Sequence, residues 1–321
     1  MSGQMMGADF LPLLVSCREQ VATGTFLLEL RDPAGGELPA FTPGSHLTVV
    51  APNGARRNYS ICSDPAQRQC YQLAIKRDSA GRGGSLSMCD DVAEGQLLMV
   101  SQPRNNFLLT ERARKFLFVA GGIGITPILS MMRHLRHVDG AAMQLIYLTR
   151  NVQDTAFLRE LQTEFAGQVT VHHDQGLPDQ ALDLWPLFEK PTNAHIYCCG
   201  PKGLMDGVHD MTGHWSSGTV HFESFGVDAA VHAQNTPFQV RLQRSGMRLQ
   251  VGARQSILEV LRAQGCRVPS SCESGTCGSC KTVLLGGEPE HRDMVLADNE
   301  QSTHIMVCVS RARSAELLLD L

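Results

Sequence analysis

Residues 272–280 read C-E-S-G-T-C-G-S-C, and a fourth cysteine, Cys308, follows in the run M-V-C-V-S. Cys272, Cys277 and Cys280 have the C-x4-C-x2-C spacing of a plant-type [2Fe–2S] ferredoxin, which draws its fourth thiolate from farther along the chain. Structural zinc more often takes two close pairs of ligands. Here three thiolates crowd together and one stands apart, so the spacing favours the iron–sulfur cluster, with Cys272, Cys277, Cys280 and Cys308 as its ligands. Such a cluster passes single electrons, which narrows the chemistry expected of the remaining residues.

Working outward, the chain has 321 residues, enough for two or three domains. Net charge is −4 and there is no basic tract, which argues against a nucleic-acid partner. The first residues lack a charged stretch followed by an apolar one, so no signal peptide is expected. The longest uncharged stretch, 116–132, holds three glycines and a proline; a strand, turn and helix explain it better than a membrane span. The other seven cysteines show no paired framework, which fits a reducing compartment. The expectation is a cytoplasmic protein that does not bind membranes. No heptad or long apolar edge stands out, so a monomer is expected. His134 and His137 can share a helix face but read more plainly as a solvated helix end, and the adjacent His172 and His173 point to opposite faces of a strand.

Three segments differ in pattern. Residues 1–111 carry short apolar or alternating runs at 13–15, 25–30, 46–50, 71–75 and 97–100, separated by turn signals such as Pro52-Asn53-Gly54. This spacing predicts an antiparallel β-barrel. Residues 112–226 alternate buried strands (116–119, 144–148, 169–172, 195–198) with helices (127–136, 155–165, 201–209), which predicts a doubly wound α/β domain on a parallel sheet. Residues 227–236 have no strong pattern and read as a linker. Residues 237–321 open with a hairpin around Arg244-Ser245-Gly246, then a helix capped by Ser256 and stopped by Gly265. The cysteine loop comes next, completing an α+β unit.

The run at 116–119 leads into A-G-G-I-G-I-T-P, residues 120–127. Glycines 122 and 124 let a backbone approach a pyrophosphate at a helix N-terminus, and Pro127 suits a first helical turn. The third glycine of the usual dinucleotide fingerprint is replaced by that proline, and tight packing without any ligand also produces such turns. The strand at 195–198 ends in a second tight turn, Cys199-Gly200-Pro201. Two such strand ends in one parallel sheet make a cleft of the kind that holds dinucleotides. For Cys199, packing and contact near a nicotinamide weigh equally. In the barrel segment, Arg57-Asn58-Tyr59-Ser60 offers a phosphate partner, a ring to cover a flavin and a hydrogen-bonding hydroxyl. Arg82-Gly83-Gly84-Ser85 offers backbone N–H groups to a phosphate. Taken alone, these residues read more readily as a surface arginine and a core tyrosine in a strand.

The order R-x-Y-S, R-G-G-S, G-G-I-G-I-T-P, C-G-P and C-x4-C-x2-C resembles the ferredoxin-reductase superfamily, and within it the phthalate dioxygenase reductase family. The likeness covers nearly the whole chain, including M-T-G-H-W-S-S-G-T-V-H-F-E-S-F-G at 211–226, and the C-terminal placing of the ferredoxin segment is part of it. It implies FMN rather than FAD. It places Arg57, Asn58, Tyr59 and Ser60 at the flavin and its phosphate. Ala74, Ile75 and Lys76 join them from the next strand, and Gly83, Gly84 and Ser85 from the phosphate loop. Thr126 and Phe225 would meet the flavin from the nucleotide side. Gly121, Gly122, Gly124, Pro127, Cys199, Gly200 and Pro201 would line the NAD cleft. It further implies a terminal Rieske oxygenase as electron acceptor, acting on an aromatic acid; phthalate is the nearest guess, and vanillate or chlorobenzoate systems share the architecture.

NADH gives two electrons as a hydride and the cluster takes one, so a flavin between them splits the pair, and no side chain need act as acid or base. Plant-type clusters near about −400 mV can reduce Rieske centres at about −150 mV or above. Thr149-Arg150 stands where an acidic residue usually holds the ribose, and an arginine there favours a 2′-phosphate. Asp154 or Asp174 can supply the acid instead, and the family likeness favours NADH. From Asp228 to Leu321, ten acidic residues balance ten basic ones, unlike strongly acidic free ferredoxins, so docking is expected to rely on shape and local charge. No Rieske pair of Cys-x-His and Cys-x2-His is present, so the oxygenase must be another chain. Two rival readings remain open at this stage. One is a self-sufficient NADH diaphorase or oxidase; the other is a nucleotide-binding module with a structural zinc knot.

Overall fold

The computed structural model describes residues 10–81, 83–216, 218–225, 235–270 and 273–321. The chain divides into two compact units, Met1–His221 and Phe222–Leu321. Most of the expected linker, and Cys272 itself, lie outside the described residues.

The first unit begins with strands β1 (Phe10–Ala22), β2 (Thr25–Arg31), β3 (Ser45–Val50), β4 (Arg56–Ser60) and β5 (Tyr71–Lys76). A short helix α1 (Gly84–Asp90) and strands β6 (Leu97–Ser101) and β7 (Arg104–Asn105) follow. Their sheet runs β4-β3-β6-β1-β2-β5, with β7 on β3, and every pairing is antiparallel. An antiparallel bridge from Ile61 to Leu73 joins the two ends and closes the barrel. Irregular register in β1 at Val15/Cys17 and Gln20/Ala22 lets this long strand coil and serve two neighbours. Alternation along β2 and β3 turns Leu28, Leu30, Leu47 and Val49 inward, where they pack with Leu73 and Val100.

The same unit continues with β8 (Lys115–Gly121), α2 (Ile125–Leu135), β9 (Ala142–Thr149), α3 (Leu158–Glu164) and β10 (Val169–His173). After them come α4 (Trp185–Phe188), β11 (His195–Cys199), α5 (Lys202–Met211) and β12 (Val220–Glu223), the last running across the division at His221. The sheet order is β10-β9-β8-β11-β12, with β10, β9, β8 and β11 parallel. The chain moves outward from β8 to β10 and then returns to β11 beside β8, so the strand order reverses between β8 and β11. That is where doubly wound sheets bind ligands. Phe118, Tyr147 and Tyr197 are buried across the sheet against α2, most of whose residues are buried, Arg133 and His134 excepted. Leu27, Cys62 and Ala74 of the barrel belong to this same core.

Two helices differ from the sequence expectation. The helix expected from 127 begins at Ile125, running straight on from a 3₁₀ turn at Gly122–Gly124. The helix expected from 155 begins only at Leu158. Thr155 is held out of it by hydroxyl contacts to Thr149 (2.7 Å) and the Asn151 carbonyl (2.8 Å), and Phe157 takes a left-handed φ of 61°.

The second unit holds β13 (Phe238–Leu242), β14 (Arg248–Val251), α6 (Ile257–Ala263), β15 (Lys281–Gly286), β16 (Pro289–Glu290), β17 (His304–Met306), β18 (Arg311–Ala312) and β19 (Glu316–Leu319). The main sheet is β14-β13-β19-β15-β17, with β13 and β19 parallel in its centre. Ile257, Leu258 and Leu261 of α6 pack with Val240, Val251, Ile305 and Leu317, giving the β-grasp arrangement. Ser256 and Glu259 form a full capping box, and Gly265 takes a left-handed φ of 77° just past the helix. The chain is thus a multidomain protein: an antiparallel barrel and a doubly wound sheet share the first unit, and a ferredoxin-like α+β fold makes the second.

Candidate cofactor sites

On β4, alternation sends Arg57 and Tyr59 to one face and Asn58 and Ser60 to the other. Asn58 accepts a hydrogen bond from the Thr48 hydroxyl at 2.8 Å, and Ser60 is buried at the strand end. Arg57 lies over α1: a Cβ added to Gly84 would stand 2.7 Å from Arg57 Nε. Gly83 has a left-handed φ of 80°, and its carbonyl accepts from the Asn53 amide, while Ser87 Oγ accepts from Asn53 N–H. These bonds tie the β3–β4 turn to the start of α1. Arg57 and the Gly83-Gly84-Ser85 run therefore meet, although 26 residues separate them at the nearest. Ser85 Oγ accepts from the Asp78 N–H at 3.2 Å. Arg82 lies outside the described residues.

Tyr59 matters most to a test of fit. Its hydroxyl is buried with no hydrogen-bond partner among the described residues, and burial pushes its pKa up. An orphaned phenol costs free energy unless something supplies a partner. A flavin with its phosphate fits that requirement, with a guanidinium and glycine backbone close by for the anion. Ala74 and Ile75 are buried on β5 and Lys76 is exposed at its end. Thr126, at the start of α2, is buried and donates to the Ile123 carbonyl at 3.0 Å. Phe225 is 48% exposed and falls in the second unit.

At the nucleotide edge, β8 and β11 run in register from Phe116–His195 to Ala120–Cys199, so their two turns stand side by side. The glycines there serve different ends. A Cβ on Gly124 would fall 2.1 Å from the Cys199 carbonyl oxygen. One on Gly121 would fall 2.6 Å from Pro201 Cδ, and one on Gly200 would fall 3.0 Å from the Gly121 backbone. These three are required by close packing of the turns. Gly122 has a left-handed φ of 52°, and where its Cβ would point no heavy atom of the described residues lies within 4 Å. Pro127 is buried in the first turn of α2, and Pro201 opens α5 as its N-cap. Cys199 is wholly buried in the core with Phe118, Ile125 and Tyr197.

Past β9, the Thr149 hydroxyl meets His173 Nδ1 at 2.9 Å. Arg150 is exposed beside Gly176. Asp154 accepts from the Asn151 amide and Asp174 from the Gly176 N–H within its own turn. His172 meets the Gln180 carbonyl. His134 and His137 do not join in a site; His137 Nε2 instead lies 3.0 Å from Asp64.

In the second unit, left-handed residues Glu273, Gly275 and Gly278 fold the cysteine loop into successive tight turns. A Cβ on Gly275 would stand 2.8 Å from Val309 Cγ2, so the segment beside Cys308 is pressed onto this loop. Met294 N–H donates to the Gly275 carbonyl at 3.0 Å. Cys280 and Cys308 are buried in the core, Cys277 is half-buried, and its sulfur lies 3.3 Å from the Ser279 hydroxyl. Among the described residues, no three His, Cys, Asp or Glu side chains are gathered tightly enough to hold a metal ion, and Cys272 is not among those residues. A soft thiolate set on a loop of hairpin turns, folded back against the fourth cysteine's segment, is chemically suited to iron–sulfur ligation.

Comparison with known proteins agrees with this geometry. Residues 240–313 match the 2Fe-2S iron-sulfur cluster binding domain, and residues 118–210 match the oxidoreductase NAD-binding domain. Phthalate dioxygenase reductase of Burkholderia cepacia is 57% identical over 314 residues, 97% of this chain and 98% of that protein. The chain belongs to the phthalate dioxygenase reductase family.

The oxygenase reductase subunit of phthalate 4,5-dioxygenase from Pseudomonas putida is 56% identical over 322 residues, 100% of this chain and 99% of that one. A solved phthalate dioxygenase reductase, described as a modular structure for electron transfer from pyridine nucleotides to [2Fe–2S], aligns with a TM-score of 0.76 at 57% identity. It covers 97% of this chain and 98% of its own. As in the family, this chain is an oxidoreductase with an NAD-binding domain and a [2Fe–2S] domain. Among its described residues no helix is long and apolar enough to cross a membrane. Sequence reading missed the polar network on α2, around Arg133, because its members are dispersed along the chain and form no motif.

Proposed function

We propose that this chain is the NADH-dependent reductase component of a two-component Rieske non-haem iron aromatic oxygenase, with phthalate as the aromatic acid of the partner. The observation that carries the reading is the union in one chain of a flavin-type barrel, a parallel sheet reversing between β8 and β11, and a C-terminal cysteine loop. Its domains are 1–111 for FMN, 112–226 for NAD, a linker 227–236 and 237–321 for the cluster.

FMN held by these residues would supply the chemistry that turns the two-electron hydride of NADH into single electrons for a [2Fe–2S] cluster and, through it, for the oxygenase. The protein's part is to hold and orient. Arg57 would meet the flavin phosphate with Gly83, Gly84 and Ser85, and Asn58, Tyr59 and Ser60 of β4 would bind the flavin. Ala74, Ile75 and Lys76 would support it from β5, and Thr126 and Phe225 are assigned to its nucleotide side. Gly122 lies at the open floor of the nucleotide cleft, whose walls Gly121, Gly124, Pro127, Cys199, Gly200 and Pro201 keep close. Cys272, Cys277, Cys280 and Cys308 hold the cluster. The protein acts as a cytoplasmic monomer that docks to the terminal oxygenase.

Turnover assays with purified phthalate, vanillate and chlorobenzoate oxygenases test the partner. Fast coupled turnover with the phthalate enzyme is expected. Equal or better coupling to another oxygenase would overturn the assignment.

A further inference from the structure

Arg133 lies on α2, whose first turn carries Thr126, and its guanidinium reaches out of the helix toward the barrel. Nη1 donates to the Cys62 carbonyl at 2.9 Å and to Gln72 Oε1 at 3.1 Å. Nε and Nη2 grip the Glu164 carboxylate of α3 at 3.3 and 3.0 Å. One planar group thus bridges the segment just past β4, strand β5, and two helices of the α/β part.

Both barrel partners are themselves fixed. Cys62 N–H donates to the Gln72 carbonyl at 2.9 Å, and Gln72 Nε2 donates to Glu29 at 2.9 Å. Cys62 follows Ser60 by two residues and Gln72 precedes Ala74 by two. The surrounding cleft, of about 340 Å³, also holds Asp64, Gln67 and Arg136, and is open to water. Arg136 and His137 are well exposed there, so solvent screens their pairing with Asp64. The Arg133 side chain is only 11% exposed. A buried, bidentate guanidinium fixes angle as well as distance, which a point charge does not.

We infer that Arg133 is a positioning residue for hydride transfer. It holds the two strands that carry the flavin contacts in register with the helix end that carries Thr126 and borders the nucleotide cleft. Hydride transfer is steeply sensitive to such register, since about 1 Å of misplacement can slow a reaction about 100-fold. The inference rests on the NADH-to-FMN reading given above.

The test is anaerobic rapid-mixing of the FMN- and cluster-loaded full chain with NADH, for wild type, Arg133→Met and Arg133→Lys. Flavin reduction in wild type tests the underlying reading; the ratio of variant to wild type tests Arg133. Arg133→Met is expected to keep its FMN, its cluster and its NADH affinity. Its limiting rate of flavin reduction should fall about 10- to 100-fold, with a matching loss of long-wavelength nicotinamide–flavin charge-transfer absorbance. Arg133→Lys should fall between. Wild-type rates and absorbance in Arg133→Met would overturn the inference, as would loss of FMN or NADH binding in step with the rate, which marks a merely structural role. Should Arg133→Met not yield loaded protein, Gln72→Leu, which cuts only one barrel contact, is expected to slow flavin reduction with binding intact; an unchanged rate there overturns the inference equally.

Discussion

Gly124 and Cys199 stand so close that any side chain at 124 would drive its Cβ to 2.1 Å from the Cys199 carbonyl oxygen. The contact joins the turn after β8 to the turn after β11. It gives the glycine-rich motif two functions: most of its glycines bring two strand ends together, and Gly122 alone faces open space.

Gly122→Ala and Gly124→Ala should therefore fail differently. Alanine at 122 meets no atom and bears only the left-handed backbone, about 1–2 kcal/mol. It should weaken NADH binding more than it lowers the melting temperature. Alanine at 124 must displace backbone, costing about 1–3 kcal/mol as overpacking does, and should lower melting temperature and NADH affinity together. Melting curves beside NADH titrations check both; a Gly122→Ala protein that binds NADH like wild type would remove that residue from the cleft.

Tyr59→Phe removes a buried hydroxyl that no group among the described residues satisfies. The apoprotein should melt at an unchanged or slightly higher temperature, since an unsatisfied group is deleted. FMN affinity, read from flavin fluorescence on titration, should fall by about tenfold, the worth of one hydrogen bond to a polar or charged group. An unchanged affinity would mean the phenol does not touch the flavin.

Much of this was legible from residue order. Alternating apolar runs mark the barrel strands, the change to strand–helix alternation marks the parallel sheet, and Ser256 with Glu259 marks a helix start that forms a full capping box. What sequence could not separate is a glycine needed for packing from one needed for a ligand. Gly121, Gly122 and Gly124 look alike in a motif, and only the neighbouring turn, some 75 residues away, tells them apart. The Arg133 bridge was invisible for the same reason: Cys62, Gln72 and Glu164 come together only when barrel and sheet are folded. Helix α3 starts late because Thr155 spends its hydroxyl on Thr149 and Asn151, a local competition that apolar periodicity does not register.

His221 stacks on Tyr197 with ring centroids 4.4 Å apart and meets His195 at 3.1 Å. Burial, with His195 adding to it, lowers its pKa to about 4. The unfolded chain takes up this proton near the ordinary value of 6.5, before the folded one does. Stability from this site is thus full above about pH 6.5 and is lost as pH falls toward 4. Between pH 7.5 and 5, His221→Gln should lose less melting temperature than wild type, by about 2–4 °C once solvent screening is allowed for. Equal losses would contradict the assignment.

The balanced charge of the C-terminal segment predicts docking with little long-range steering. Association with the oxygenase, followed by rapid mixing from low to high salt, should change by less than about tenfold, the lower edge of what steering supplies. A steep fall with salt would contradict this and show that long-range electrostatic steering governs encounter.

The central claim is that this chain takes hydride from NADH and stores it as single electrons on a flavin and a [2Fe–2S] cluster. The most direct test is an anaerobic NADH titration of the purified protein followed by its visible spectrum. Flavin and iron–sulfur bands should both be present, and both should bleach to completion with about 1.5 equivalents of NADH per chain, since a flavin takes two electrons and the cluster one. A colourless protein from anaerobic purification, or flavin bleaching that leaves the iron–sulfur bands untouched, would contradict it.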